Sequence, residues 1–147
     1  MIRHKLSGVG AAMITPFTAD GRIDYEALAS TVDYVIEGGA DYIVALGTTA
    51  ETPTLYMPER AVIAMFISNH IAGRVPLVIG VGGNSTSEVL DQLREFDLRR
   101  ADAILSVTPY YNKPSQEGLY QHFRTVSEHS PVPVILYNIP GLSLIHI

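Results

Sequence analysis

The chain has 147 residues, 47% of them hydrophobic, with no cysteine, five histidines and a formal net charge of −5. An acidic chain of pI about 5.4 lacks the basic face that a nucleic-acid or membrane-surface partner demands. Without cysteine, neither a disulfide framework nor a thiolate metal site can form. No apolar run reaches the ~18 residues of a membrane span, and the start Met1-Ile2-Arg3-His4-Lys5 leads into no signal-type apolar core, so a cytoplasmic protein is expected.

The first apolar run, 9–15, reads as a strand. Its Gly8-Val9-Gly10 opening looks superficially like a dinucleotide fingerprint, but it overlaps the strand instead of following it, and Met13 stands where a third glycine belongs. Asp20-Gly21 is a turn signal. Asp24 then caps a helix with Leu28, Val32, Val35 and Ile36 at helical spacing, stopped by Gly38-Gly39. A second strand, 42–46, runs into Gly47-Thr48-Thr49-Ala50-Glu51. Pro58 suits the first turn of the next helix, with Val62, Ile63, Phe66 and Ile67 as its buried stripe. A third strand follows at 77–81. Ser85-Thr86-Ser87-Glu88 has the pattern of a capping box and opens a helix that turns Val89, Leu93 and Phe96 inward. A fourth strand at 103–107, a helix at 115–129 around Leu119, Phe123 and Val126, and a fifth strand at 134–137 complete the series.

From the second onward the strands start roughly 26–35 residues apart, the length of one strand-plus-helix unit. They are apolar on both faces, as parallel strands covered on both sides must be. Two architectures fit: a doubly wound open sheet or a (β/α)8 barrel. Hydroxyl-rich or polar residues follow every strand, at Thr15, Thr48-Thr49, Asn84, Thr108 and Asn138. A barrel builds its site from all of its strand ends, whereas a doubly wound sheet gathers polar residues at one switch point. The expected fold is therefore α/β, a partial (β/α)8 barrel holding the first five βα units of a fold that typically needs about 250 residues. Residues 1–141 are read as part of one domain.

Three loops carry candidate chemistry. Gly47 admits a ligand carboxylate to the backbone, where hydroxyls and amides bind it; an ordinary turn explains the segment equally well. Thr108-Pro109-Tyr110-Tyr111-Asn112-Lys113-Pro114 holds two tyrosines in a proline-bracketed loop, suited to loop packing, a subunit interface or proton transfer by a phenol. Tyr137, at the end of the fifth strand, points into the mouth of a barrel, with Thr48 as a plausible hydroxyl partner. A phenol of ordinary pKa about 10 moves protons only when neighbours tune it. The histidines, His4, His70, His122, His129 and His146, show no metal-ligand spacing, and His122 and His129 are placed on a helix exterior; no metal is expected.

The motifs at 47–51, 108–118 and 137–140, taken in this order, resemble those of the dihydrodipicolinate synthases within the N-acetylneuraminate lyase superfamily, and the similarity runs over about 8–141. Sialic acid lyases of that superfamily usually carry Ser-Thr where this chain has Thr48-Thr49, and lack the continuation seen at 112–118. The resemblance implies condensation of pyruvate with aspartate-4-semialdehyde on the way to diaminopimelate and lysine, through a Schiff base on a lysine of the sixth strand. Thr49 would bind the pyruvate carboxylate, and Tyr137 would donate and accept protons, linked through Thr48 to a Tyr111 contributed across a dimer interface. No metal or organic cofactor is implied, and the full-length enzyme would be a homotetramer, a dimer of dimers. Asn84, Glu88 and Tyr110 match positions of the family's allosteric lysine site, but Met57 and Arg60 replace its histidines, which argues against feedback inhibition. Ala50 replaces the usual glycine of the first motif.

After Gly141 the family continues Arg-Thr, where this chain has Leu142-Ser143-Leu144-Ile145-His146-Ile147. Residues 142–147 are read as a non-native tail, the peptide that a transposase adapter of sequencing libraries encodes. The only lysines are Lys5 and Lys113, so the Schiff-base lysine is expected downstream, and the chain by itself is expected to be inactive. The alternatives are another pyruvate-dependent aldolase or lyase acting on a sugar acid, and a non-catalytic half-barrel.

Overall fold

The structure, a computed structural model, describes residues 2–139. The expected tail at 142–147 lies outside the described residues, as do Gly141 and His146. A helical turn, α1 (Ile2–Lys5), precedes β1 (Gly10–Ala12); then come α2 (Tyr25–Glu37), β2 (Tyr42–Ala45), α3 (Met57–Ile71), β3 (Leu77–Gly80), α4 (Thr86–Glu95), β4 (Ala103–Val107), α5 (Gln116–His129) and β5 (Val134–Tyr137). Two 3-10 turns, Thr48–Ala50 and Thr52–Thr54, lie between β2 and α3.

Local chemistry sets most of the helix ends. The Asp24 carboxylate accepts the Ala27 N–H at 2.9 Å and starts α2, while Ser115 does the same for α5 through Gly118 N–H at 3.1 Å. The capping box expected at Ser85 does not form: Ser85 is the residue before α4, but its side chain makes no cap bond and pairs with the Ser87 hydroxyl at 2.9 Å. Glu88, the other half of that pattern, turns toward Arg60 on α3. Half of such a box forms at α3 instead, where Glu59 accepts the Tyr56 N–H at 2.8 Å.

All five strands are parallel, and their order in the sheet is their order in the chain, β1-β2-β3-β4-β5. A doubly wound sheet reverses direction at a switch point; this sheet never does. Crossovers of one sense between successive parallel strands put the helices on one side, where they pack on the strands, and leave the other face to form a barrel interior. The described residues thus form a partial barrel of four βα units and a fifth strand. The core is the helix side, where Met13, Ile43, Ile79 and Ile104 of the strand segments meet Leu28, Val32, Ile63, Ile67 and Val89 of the helices.

The sheet is narrower at its first edge than expected: β1 covers three residues of the expected 9–15. Met13 still donates to Val44 C=O at 2.9 Å, but Thr15 has turned away, its hydroxyl donating to Ala50 C=O at 2.8 Å. Two helix readings need correction. Val62 of α3 is 42% exposed, because the buried stripe runs through Ile63, Ala64, Ile67 and Ile71 instead. His122, placed on an exterior, is buried at the α4–α5 contact, where its Nδ1 pairs with the Thr86 hydroxyl at 2.8 Å. An i, i+7 pair lies on one helix stripe, but His129 at the last turn is exposed while His122 meets a neighbouring helix.

Candidate active site

The inner face of the sheet is fixed by register. Val107 pairs with Tyr137 and Leu105 with Ile135, and Gly80 pairs with Leu105. Paired residues share a face, so Tyr137 stands beside Val107 on the side away from the helices. At the carboxyl ends of the strands this face opens into a cavity of about 410 Å³. Its walls are apolar at Leu46, Val81, Leu105, Val107 and Ile139, with Thr48, Thr52, Arg60, Tyr110, Tyr111 and Tyr137 as the side chains able to hydrogen-bond.

Four expected site residues, Thr48, Tyr110, Tyr111 and Tyr137, therefore line one cavity, although they come from three different strand ends. Among the described residues no hydrogen bond joins Thr48 to either Tyr111 or Tyr137 in this structure. Thr49 sits beside Thr48 in the first 3-10 turn and is exposed outside the cavity wall. Glu88 reaches the wall through Arg60, whose Nη1 lies 3.6 Å from its carboxylate. Asn84 contributes its main chain, its carbonyl accepting Nδ2 of Asn112 at 2.8 Å. Tyr111 stands at the rim, 87% exposed.

The loops around the cavity are held in costly backbone conformations. Leu46 and Glu51 (φ 55° each) flank the Thr48-Thr49 turn, and Tyr111 (φ 68°) and Lys113 (φ 47°) lie in the tyrosine loop. Left-handed backbone costs a side-chain-bearing residue on the order of 1–2 kcal/mol, and it persists where the surroundings impose it. At Leu46 the surroundings are visible. A Cβ on Gly80 would lie 2.0 Å from the Leu46 carbonyl oxygen, so only glycine lets that turn close over β3. The Thr52 hydroxyl bonds the carbonyls of Leu46 (3.0 Å) and Gly47 (2.9 Å) from below.

Thr15, Thr52, Asn112 and Gln92, whose amide bonds both main-chain groups of Gly82 in the cavity wall, thus support the site, and residue patterns did not single them out for this role. Gln92 alone left a usable signal, a polar amide on the inward stripe of Val89, Leu93 and Phe96. Among the described residues no group of three or more His, Asp or Glu side chains is arranged to hold a metal. No described helix is long and apolar enough to cross a membrane.

Comparison with known proteins gives the family. The model of the dihydrodipicolinate synthetase family matches residues 5–147. A 4-hydroxy-tetrahydrodipicolinate synthase of Parabacteroides distasonis is 52% identical over 136 residues, 92% of this chain and 46% of that protein. The solved dihydrodipicolinate synthase of Acinetobacter baumannii, complexed with pyruvate, superimposes with a TM-score of 0.90 at 43% identity, over 94% of this chain and 47% of its own. A monomeric dihydrodipicolinate synthase variant superimposes with a TM-score of 0.88 at 38% identity, over 95% and 46%. The chain spans about half the length of the relatives it matches. With the family model covering nearly all of its residues, this chain belongs to the dihydrodipicolinate synthetase family.

Proposed function

We propose that this chain is the first half of a Schiff-base aldolase that condenses pyruvate with aspartate-4-semialdehyde to 4-hydroxy-tetrahydrodipicolinate in the cytoplasm. The observation that carries the reading is the convergence of Thr48, Tyr111 and Tyr137 on one cavity at the strand ends, in a chain of this family. A lysine amine from the half of the family's length not spanned here adds to the pyruvate carbonyl and expels water. The resulting iminium is the electron sink that lets a methyl proton leave, the enamine carbon then attacks the aldehyde, and the amine of the added substrate displaces the lysine from the iminium carbon as the ring closes.

Each step moves a proton, and this chain supplies the groups to carry it. Tyr137 takes and returns protons at the reacting carbon and oxygen, with Thr48 relaying them toward Tyr111. The apolar walls at Leu105 and Val107 keep bulk water off the imine. Thr49, in the turn that opens at Gly47, is the residue of this reading that binds the pyruvate carboxylate, although among the described residues it stands outside the cavity wall. The exposure of Tyr111 suits a phenol shared with a second copy, as in a dimer within a tetramer. Arg60 already faces Glu88, which supports an enzyme that lysine does not inhibit through Asn84, Glu88 and Tyr110.

The test is made on the full-length protein. Borohydride with pyruvate should leave a covalent adduct of one pyruvate per chain and abolish activity. Tyr137→Phe should lower kcat by about 100-fold, in the range of a lost general acid–base, with a smaller change in pyruvate binding. Near-wild-type turnover by that variant removes Tyr137 from the mechanism, and absence of an adduct removes the Schiff base. Turnover of a sugar acid in place of aspartate-4-semialdehyde would assign the chain to another branch of the superfamily.

A further inference from the structure

Where β3 runs out beside the cavity, the sheet stops supplying hydrogen-bond partners to the chain. Val81 N–H is still taken by Leu105 C=O at 3.0 Å. At the next residue both main-chain groups turn to one side chain. Gly82 N–H donates to Oε1 of Gln92 at 3.2 Å, and Nε2 of Gln92 donates to Gly82 C=O at 3.0 Å. Gln92 is 1% exposed on the inward face of α4, where an aliphatic residue is the ordinary choice. An amide so buried is destabilising unless both its ends are partnered, and a peptide unit's N–H and C=O match its acceptor and donor. Gly82 is also a point of close approach: a Cβ there would lie 2.8 Å from Cγ1 of Val107.

Two residues further on, the Asn84 carbonyl accepts Nδ2 of Asn112. That bond enters the loop of Tyr110 and Tyr111, where Asn112 N–H is drawn to Tyr110 C=O at 2.8 Å and Tyr111 and Lys113 are left-handed. Such a loop keeps its shape only if something outside it imposes that shape.

We infer that Gln92 is a positioning residue, which fixes segment 82–84 by gripping both main-chain groups of Gly82 and, through the Asn84–Asn112 bond, sets where Tyr110 and Tyr111 stand at the cavity. The catalytic consequence rests on the reaction proposed above; the clamp itself does not.

The experiment uses the full-length protein and three variants. Gln92→Met keeps the volume and removes both bonds. Gln92→Glu keeps the acceptor for Gly82 N–H and loses the donor. Asn112→Ala cuts the second link alone. Hydrogen exchange read by mass spectrometry should rise about tenfold in Q92M within both 82–84 and 110–113, with β1 and β2 unchanged. In N112A the rise should be confined to 110–113, and Q92E should fall between Q92M and the wild type.

Turnover per borohydride-trapped pyruvate site should drop about tenfold in Q92M, with KM for pyruvate within about twofold. The Q92M/N112A double variant should lose little more than Q92M, because both cuts act on one chain of contacts. Exchange that rises uniformly across the sheet, or fails to rise at 110–113, overturns the inference. So does unchanged turnover per trapped site, or additive losses in the double variant. If the wild-type protein traps no pyruvate, the proposed reaction falls, and exchange alone decides the clamp.

Discussion

His122 shows what a single buried residue can impose on the molecule. Its ring lies edge-on to Phe123, 5.2 Å between centroids, and Thr86 occupies Nδ1. Among the described residues Nε2 finds no partner, nor do the buried hydroxyls of Ser106 and Thr108 on the helix-facing side of the β4 segment. Burial holds the His122 pKa below that of a free imidazole. The unfolded chain gains its proton near pH 6.5, the folded chain only at lower pH. Stability is therefore intact above about pH 6.5 and is lost as the pH falls from there through the folded pKa. The melting temperature of the full-length protein should decline between about pH 7 and pH 5, and His122→Gln should flatten that decline. Parallel curves for the two proteins would acquit His122. The site residues divide at the same scale. Thr48, Tyr111 and Tyr137 were named from the sequence through the motifs that carry the family resemblance, and the structure brings them to one cavity wall. Thr15 and Thr52 were not so named, since a threonine that bonds a carbonyl 35 or five residues away leaves no local pattern.

Among the elements, helix starts separate what composition suggests from what geometry grants. Asp24 and Ser85 both carry a capping residue type, and both precede their helices. Only Asp24 makes the bond. Asp24→Ala should therefore destabilise the full-length protein by about 1 kcal/mol, and Ser85→Ala by less than about 0.5 kcal/mol, as read from urea unfolding midpoints. Equal losses would mean that Ser85 caps α4 in solution. The physical reason for the difference lies outside α4. Glu88 is turned toward Arg60 of α3, and the segment before Ser85 is committed to Gly82 and Asn84 contacts. The strands were legible almost residue for residue where both faces are covered, as in β3. At β1 the regular pairing ends at Ala12, and the Thr15 hydroxyl bonds the Ala50 carbonyl away from the sheet.

For the whole molecule the open edges matter most. Among the described residues β1 and β5 each pair on one side only, leaving main-chain groups without ladder partners along both edges. Leu136 of β5 is 61% exposed and Ile14, just past β1, is 49% exposed. Residues 1–147 produced alone should therefore self-associate, giving a weak near-UV circular dichroism signal and a broad sedimentation profile. They should also form no borohydride-trapped pyruvate adduct. Lys5 is paired with Asp102 at 3.0 Å with its side chain two-thirds exposed, and Lys113 is exposed in the tyrosine loop. Both amines are solvated, and neither lines the cavity that holds Tyr137. A monodisperse species with an adduct on Lys113 would refute both expectations.

The alternation of apolar runs with helical stripes determined the βα repeat by itself, because burial periodicity is a local property written in consecutive residues. The polar residues after each strand pointed to a barrel, and the ordered motifs at 47–51, 108–118 and 137–140 to its family. Only the tertiary structure decided that His122 is buried, that Ser85 does not cap, and that Gln92 and Asn112 hold the loops of the cavity. Those outcomes depend on which residues of distant elements arrive at the same place. Hydrogen-bond partners separated by 10 to 36 positions leave no periodic trace in the chain that contains them.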